Sequence, residues 1–382
     1  MLPLHAAPTV AIYCANDATS ACPQLRLARP FHHAGWSVRW GTSGDFNQRQ
    51  IDVDAARGAD LVVVQRSLPN AHNHASMRRL AALGLPMAYD LDDSFLDIPA
   101  SHPNHAVLRP VFPYIRWMLK QADLVTVSTA PLARALQRFT PRPVAVLPNL
   151  VDWDWFDAAP RPRGPICRLL VSGTPTHRGD WAVLEQPLVE LLAERPGQLK
   201  LIFFGDLPAR FKGHPSVEAV AFEPRYEHYA RQLRELDAHI ALVPLADSDF
   251  NRAKSSIKWL EYSAAGIPGI YSDIEPYKAS VTHGENGLLV ERSAAAWKQS
   301  ILGLIDDPHR TQRLIDNAQH AVRLQHSIAA GLANFQGTLL RLLGSAHATD
   351  RRADLALAPA RLKSNSMKLI DQYVMWRFRR TG

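Results

Sequence analysis

Residues 254–290 read KSSIKWLEYSAAGIPGIYSDIEPYKASVTHGENGLLV. Ile257, Leu260 and Ala264 fall at i, i+3 and i+7, which makes one apolar helical stripe. Ser255 and Ser256 precede it as N-cap residues, and Gly266 followed by Pro268 stops it. Residues 269–272 (GIYS) then have the look of a short buried strand. The stretch is a loop, a helix, a tight glycine turn and a strand, the repeating unit of an α/β domain.

The start of this helix suits an anion, because free backbone N–H groups and the helix dipole both point toward it. Lys254, Lys258 and Glu261 follow at i, i+4 and i+7 and share one face. A phosphate at the helix start and a hydroxyl-binding carboxylate two turns along describe a pocket for a nucleotide diphosphate. The same spacing also describes a solvated Lys–Glu pair on an ordinary helix.

Outward from this stretch, short apolar runs alternate with helical or polar segments. They lie at 9–14, 37–40, 61–64, 87–89, 124–127 and 144–147, then at 168–172, 199–204, 217–222, 239–243 and 269–272. Such alternation predicts parallel sheets with both faces covered. A Pro- and Asp-rich segment, 157–165, interrupts the first series and is the expected linker. Residues 293–343 are mainly helical in pattern. The division is a domain at 1–156, a second at 166–343, and a tail at 344–382.

LEYSAAGIPGIYSD followed by HGENGLLV resembles the C-terminal signature of retaining GT-B glycosyltransferases of the family 4 type, the group 1 glycosyl transferases. The resemblance implies two Rossmann-like, doubly wound domains facing a central cleft, with ligands at the C-terminal strand ends. It makes 1–156 the acceptor side and 166–343 the nucleotide-sugar side. Glu261 stands where the family glutamate holds the ribose hydroxyls. An earlier family glutamate would fall at Ala253, and FNRAKSSIK replaces the usual glycine-rich loop. This chain therefore resembles a divergent branch, with Asp247 and Asp249 as nearby substitutes.

The loop SGTPTHRGD, 172–180, follows a strand and precedes a helix. Small residues there let the backbone approach a phosphate. The resemblance places the diphosphate against Gly173, Thr174, His177 and Arg178, with Arg178 suited to bidentate contact. Asp180 is expected as a helix N-cap. In 222–226, Tyr226 or Phe222 is expected to stack on the nucleobase, or to be core. Lys254, Ser255, Ser256 and Lys258 complete the donor set. The turn at Asn286–Gly287 closes the domain.

In the first domain, YDLDDSF (89–95) holds three carboxylates in four residues at a strand end, which repel one another and attract cations. Asp90, Asp92 or Asp93 is expected to bind the acceptor or to serve as its base. Capping of the next helix by one of them, and a metal site, are the other readings. The GT-B resemblance implies no metal and no cofactor beyond the sugar nucleotide. Arg26 and Arg66 are expected to reach the cleft.

The chain has 382 residues, three cysteines and a formal net charge of +7. Eight Lys/Arg and three Asp from residue 345 onward contribute 8 − 3 = +5 of that charge. The body is therefore nearly balanced, and a nucleic-acid partner is not expected. Cys14, Cys22 and Cys167 are widely spaced, as free thiols in a reducing cytoplasm would be. No apolar run is long enough to span a membrane and no signal peptide stands out, so a cytoplasmic protein is expected. Met367, Ile370, Val374 and Phe378 form a stripe in a basic tail helix, which either packs on the protein or lies on the inner membrane face. The expected reaction is transfer of a sugar from a nucleotide-diphosphate sugar to a glycan or lipid-linked glycan, with retained configuration. A nucleotide-sugar-binding protein without transferase activity and a GT-B-type epimerase are the rival readings.

Overall fold

The computed structural model describes residues 7–45, 48–156 and 164–345. The first sheet consists of β1 (Thr9–Cys14), β2 (Ser37–Trp40), β5 (Leu61–Gln65), β6 (Met87–Leu91), β7 (Leu124–Val127) and β8 (Val144–Val146). All pairings are parallel, in the order β2-β1-β5-β6-β7-β8. A small antiparallel pair, β3 (Thr42–Ser43) with β4 (Gln50–Ile51), lies outside it and was not expected from the sequence. The second sheet consists of β9 (Cys167–Gly173), β10 (Leu199–Gly205), β11 (Val217–Ala221), β12 (Ile240–Val243), β13 (Gly269–Ser272) and β14 (Leu288–Val290). Its order is β11-β10-β9-β12-β13-β14, again parallel throughout. This is the strand order of a Rossmann domain, so the chain is a two-domain GT-B fold.

The two-residue period of the strands sorts side chains onto both faces. In β1, Val10, Ile12 and Cys14 enter one core layer, while Ala11 and Tyr13 enter the other. In β9, Leu169 and Val171 join one layer and Leu170 the opposite one. Burial on both faces explains why the strands are continuous apolar runs.

The helix Ile257–Ala264 ends as its sequence predicts. Gly266 adopts φ +74°, the Gly266 N–H reaches the Ser263 carbonyl at 3.0 Å, and the Ile267 N–H reaches Tyr262 at 2.8 Å. That pair of bonds is the Schellman stop, for which glycine is the favoured residue. The helix is buried from Trp259 to Ala264, more widely than its single apolar stripe suggested.

Three features depart from expectation. β14 pairs with β13, where a closing turn alone was read. β6 continues through Leu91, so Asp90 lies inside a central strand. The helix Ile328–Gly344 leaves the second domain and packs on the first, with Phe335 edge-on to Phe31 at 5.0 Å and Gln336 donating to the Ala34 carbonyl at 3.2 Å. It starts beside the other domain crossing, where the Val151 N–H bonds to His326 at 2.7 Å and the Ile328 N–H to Val151 at 3.1 Å. Most of the expected linker (157–163) and the tail stripe at 367–378 lie outside the described residues. No helix among the described residues is long and apolar enough to cross a membrane.

Candidate functional site

Strand order reverses between β9 and β12 in the second sheet, and between β1 and β5 in the first. Ligands of open α/β sheets bind outside the carboxyl ends of the strands at such points. Arg66, which follows β5, and Lys254, which follows β12, both lie against Asp93, at 3.6 and 3.3 Å.

On the second-domain side, β9 ends at Gly173 with φ +154°. A Cβ there would lie 2.8 Å from the His177 ring and 2.9 Å from Trp181, so only glycine lets the imidazole sit against the strand end. His177 Nδ1 pairs with Asp180 Oδ2 at 3.0 Å, and Asp180 Oδ1 accepts from the Ala246 N–H at 2.7 Å. Asp180 thus ties the loop after β9 to the loop after β12; it is not the expected N-cap, a position held by His177, but lies in the first turn with its oxygens turned to these partners. Burial holds His177 below the usual histidine range, and Lys258 and Lys254 push it the same way against Asp180. Thr174 Oγ1 is hydrogen-bonded to Thr176 Oγ1 at 2.8 Å.

Lys258 and Glu261 project from the helix Ile257–Ala264 into the same region. Lys258 Nζ donates to the Ser172 carbonyl, and burial pushes its pKa down to about 8. Glu261 is 6% exposed. Burial pushes its pKa up to about 7, opposed by the Tyr226 and Tyr229 hydroxyls and by Lys258. Tyr229 OH donates to Glu261 Oε2 at 3.1 Å, whereas the neighbouring Tyr226 hydroxyl has no partner in hydrogen-bond geometry. A carboxylate that can ionise, held among tyrosines beside a lysine, is equipped to accept hydrogen bonds from vicinal hydroxyls.

Across the cleft, Lys254 Nζ lies 3.3 Å from Asp93 Oδ1 and 4.5 Å from the Phe250 ring centroid. Burial alone would raise the Asp93 pKa, but Lys254 and then Arg66 outweigh it and hold the carboxyl below its usual range. Arg66, itself at φ +57°, pairs with Asp92 Oδ2 at 2.5 Å and lies 3.6 Å from Asp93. Asp92 Oδ1 is buried without a partner. The loop carrying Lys254 is docked on the first domain by two more bonds. Thr129 Oγ1 donates to the Ala253 carbonyl at 2.7 Å, and Asn149 Nδ2 donates to Ser255 Oγ at 2.8 Å. Ser256 Oγ bonds to Ser280 Oγ at 2.7 Å.

Asp90, Arg26, Arg178 and the Asp247–Asp249 pair depart from their expected roles. Asp90 is 1% exposed and receives Arg26 Nε at 2.8 Å, Arg26 Nη2 at 2.6 Å, Gln65 Nε2 at 3.0 Å and Thr126 Oγ1 at 2.8 Å. It is a core ion-pair residue, and Arg26 turns inward to it instead of reaching the cleft. Arg178 is bound bidentately by Asp206, at 2.6 and 2.7 Å, which takes up the fork meant for phosphate. Of the two readings for Tyr226, the core one holds, since it is 1% exposed under Trp155 and Tyr229, whereas Phe222 is 60% exposed. Asp247 and Asp249 both lie against Arg252 and do not turn inward. A separate group, His33, Asp152 and Asp154, is close enough to hold a cation, but Arg29 already pairs with both aspartates.

Residues 169–307 match the family model described as glycosyl transferases group 1. No curated protein matches the chain. Among solved structures, the chain is similar to sucrose-phosphate synthase from Thermosynechococcus elongatus, at 16% identity and TM-score 0.65, covering 89% of this chain and 100% of that one. It is similar to HepE from Anabaena in complex with UDP and glucose, at 14% identity and TM-score 0.64, covering 88% and 100%. It is also similar to an α-glucosyltransferase in complex with UDP-glucose and DNA containing an abasic site, at 9% identity and TM-score 0.62, with the same coverage. At these identities the likeness is one of fold.

Proposed function

We propose that the chain is a glycosyltransferase that moves a sugar from a nucleotide-diphosphate sugar to a hydroxyl acceptor with retained configuration. One observation carries this reading. Within the segment that matches the group 1 family, Gly173, His177, Lys258 and Glu261 gather at one switch point, and Lys254 of that domain meets Asp93 of the other at 3.3 Å.

Glu261 holds the ribose hydroxyls. Lys254, Lys258, Ser255, Ser256 and the amides of Gly173 and Thr174 face the diphosphate and stabilise its growing charge as the sugar–phosphate bond breaks. Asp93, with Asp92 beside it, accepts the acceptor hydroxyl. When Lys254 turns to the phosphates, Asp93 loses its main cationic partner and becomes a stronger base. Retention follows if the acceptor attacks from the face the diphosphate leaves, with no covalent enzyme intermediate. No metal is required on this reading, since the lysines supply the positive charge, and EDTA should leave turnover unchanged. The acceptor is a glycan, free or lipid-linked.

The test is a thermal-shift panel of UDP, GDP, ADP and their glucosides on wild type and Glu261→Ala, followed by nucleotide release with added glycans. A ligand at about 100 times its Kd adds roughly 2.7 kcal/mol to stability. One nucleotide class shifting wild type but not the variant, with release that requires an acceptor, supports the reading. Binding without release points to a binding protein, and release-free conversion of the sugar to an epimerase. No shift with any nucleotide overturns the donor site.

A further inference from the structure

The histidine of the loop after β9 is built as part of a dyad. His177 Nδ1 faces Asp180 Oδ2 at 3.0 Å, and Asp180 is itself fixed by the Ala246 N–H at 2.7 Å. The imidazole is pinned on its other sides by Gly173 and by stacking on Trp181, with centroids 6.5 Å apart and planes at 18°. A carboxylate at Nδ1 selects the tautomer with its proton on that nitrogen. Nε2 is then a lone pair, it has no partner among the described residues, and the ring is 29% exposed. Lys254 and Lys258 act on His177 as cations, Asp93 as an anion across the cleft, and His102 faces Asp180 from the first domain.

We propose that His177 and Asp180 form a proton-uptake device for the donor diphosphate, in which Nε2 takes a proton from solvent as the anion binds and keeps it, the N–H of the imidazolium hydrogen-bonding to a phosphate oxygen. This rests on the donor-site reading above. The physical reason is the sign of the surroundings. In the free site, two lysines and burial disfavour the imidazolium. A bound diphosphate brings two negative charges and draws Lys254 and Lys258 toward itself, which reverses that balance. Asp180 stabilises the resulting cation through Nδ1–H, as a positioning residue that does not touch the ligand. The device adds a third positive charge to the site only while the ligand is there to need it. Uptake is linked to affinity, so between the free and bound pKa values the association constant falls about tenfold per pH unit as pH rises.

The experiment is calorimetry of the full chain with UDP-, GDP- and ADP-glucose, whose diphosphates do not titrate near neutrality, in two buffers of different ionisation enthalpy at pH 7. Wild type should take up close to one proton more than His177→Gln, which subtracts the shares of Lys258 and Glu261. Asp180→Asn should bind with less uptake and a pH profile moved to lower pH. Nitrogen NMR on histidine-labelled wild type should show free His177 neutral with its proton on Nδ1, and the imidazolium in the complex. Equal uptake in wild type and His177→Gln, or a free tautomer protonated on Nε2, overturns the proposal and leaves the donor-site reading intact. Failure of all three sugar nucleotides to bind overturns both.

Discussion

Asp90→Ala separates a structural carboxylate from a reacting one. Asp90 and Arg26 have side chains only 1% and 2% exposed, and Arg26 Nη1 also donates to the Leu147 carbonyl and Asn149 Oδ1, both at 2.9 Å. Removing the carboxylate leaves a guanidinium buried without its counter-charge, and the loss of one partner of such a pair costs about 3–5 kcal/mol. Against a total stability of about 5–15 kcal/mol this is a large fraction. The unfolding midpoint should fall by about 10 °C. Removing both charges is a different perturbation. Arg26→Leu with Asp90→Leu leaves no buried charge unpaired, though the Thr126 hydroxyl and Asn149 Oδ1 lose a partner, and an apolar pair in place of a buried ion pair is often neutral or better. The double variant should therefore recover part of the loss, the stranded polar groups keeping it below wild type. Urea unfolding followed by tryptophan fluorescence, with turnover measured on the folded fraction, reads both quantities. If Asp90→Ala stays within about 1 kcal/mol of wild type while turnover falls by two orders of magnitude or more, the pair is not a core element and Asp90 reaches the cleft.

Three further outcomes follow from the same geometry. Glu261 has its folded pKa raised from 4.5 to about 7. The native state then binds more protons than the unfolded state between those values, so this group's stabilisation is present below about pH 4.5 and lost as pH rises through 7. Ligand-free wild type should lose stability relative to Glu261→Gln across that window in calorimetric scans, and an equal pH dependence of the two would refute the burial argument. Lys254→Ala should lower kcat/KM for the donor by about tenfold or more, with strong salt dependence. It should change the unfolding midpoint little, because its pair with Asp93 is partly exposed and such pairs contribute about 0–1 kcal/mol. Arg178→Ala should leave donor KM within about threefold, since the guanidinium is held by Asp206 and half exposed. A loss like that of Lys254→Ala would mean that Arg178 leaves Asp206 for the diphosphate.

The second domain was readable because its signals are local. A helix start, a glycine at the Schellman position and a buried apolar strand all fall within residues 255–272, and the structure realises each of them, although the Ser255 and Ser256 hydroxyls bond to Asn149 and Ser280 instead of capping the helix. The placement of Glu261 beside Lys258 also follows from helical spacing, at i and i+3. What stayed hidden depends on partners far along the chain. Asp90, Asp92 and Asp93 are indistinguishable as a cluster. The first is claimed by Arg26, 64 positions earlier, and the last by Lys254, 161 positions later. No composition or period encodes which carboxylate meets which cation. The His177–Asp180 contact is an intermediate case. Its i, i+3 spacing is visible, yet an aspartate in a first helical turn already has a sufficient reason to be there, so the spacing alone does not reveal a dyad. The glycine is the better clue. Gly173 ends a strand where glycine is unfavourable, and the structure shows that its missing Cβ is the space the imidazole occupies. A glycine that costs the strand stability so that one histidine can reach the end of β9 argues that the ring's position serves the site more than the fold.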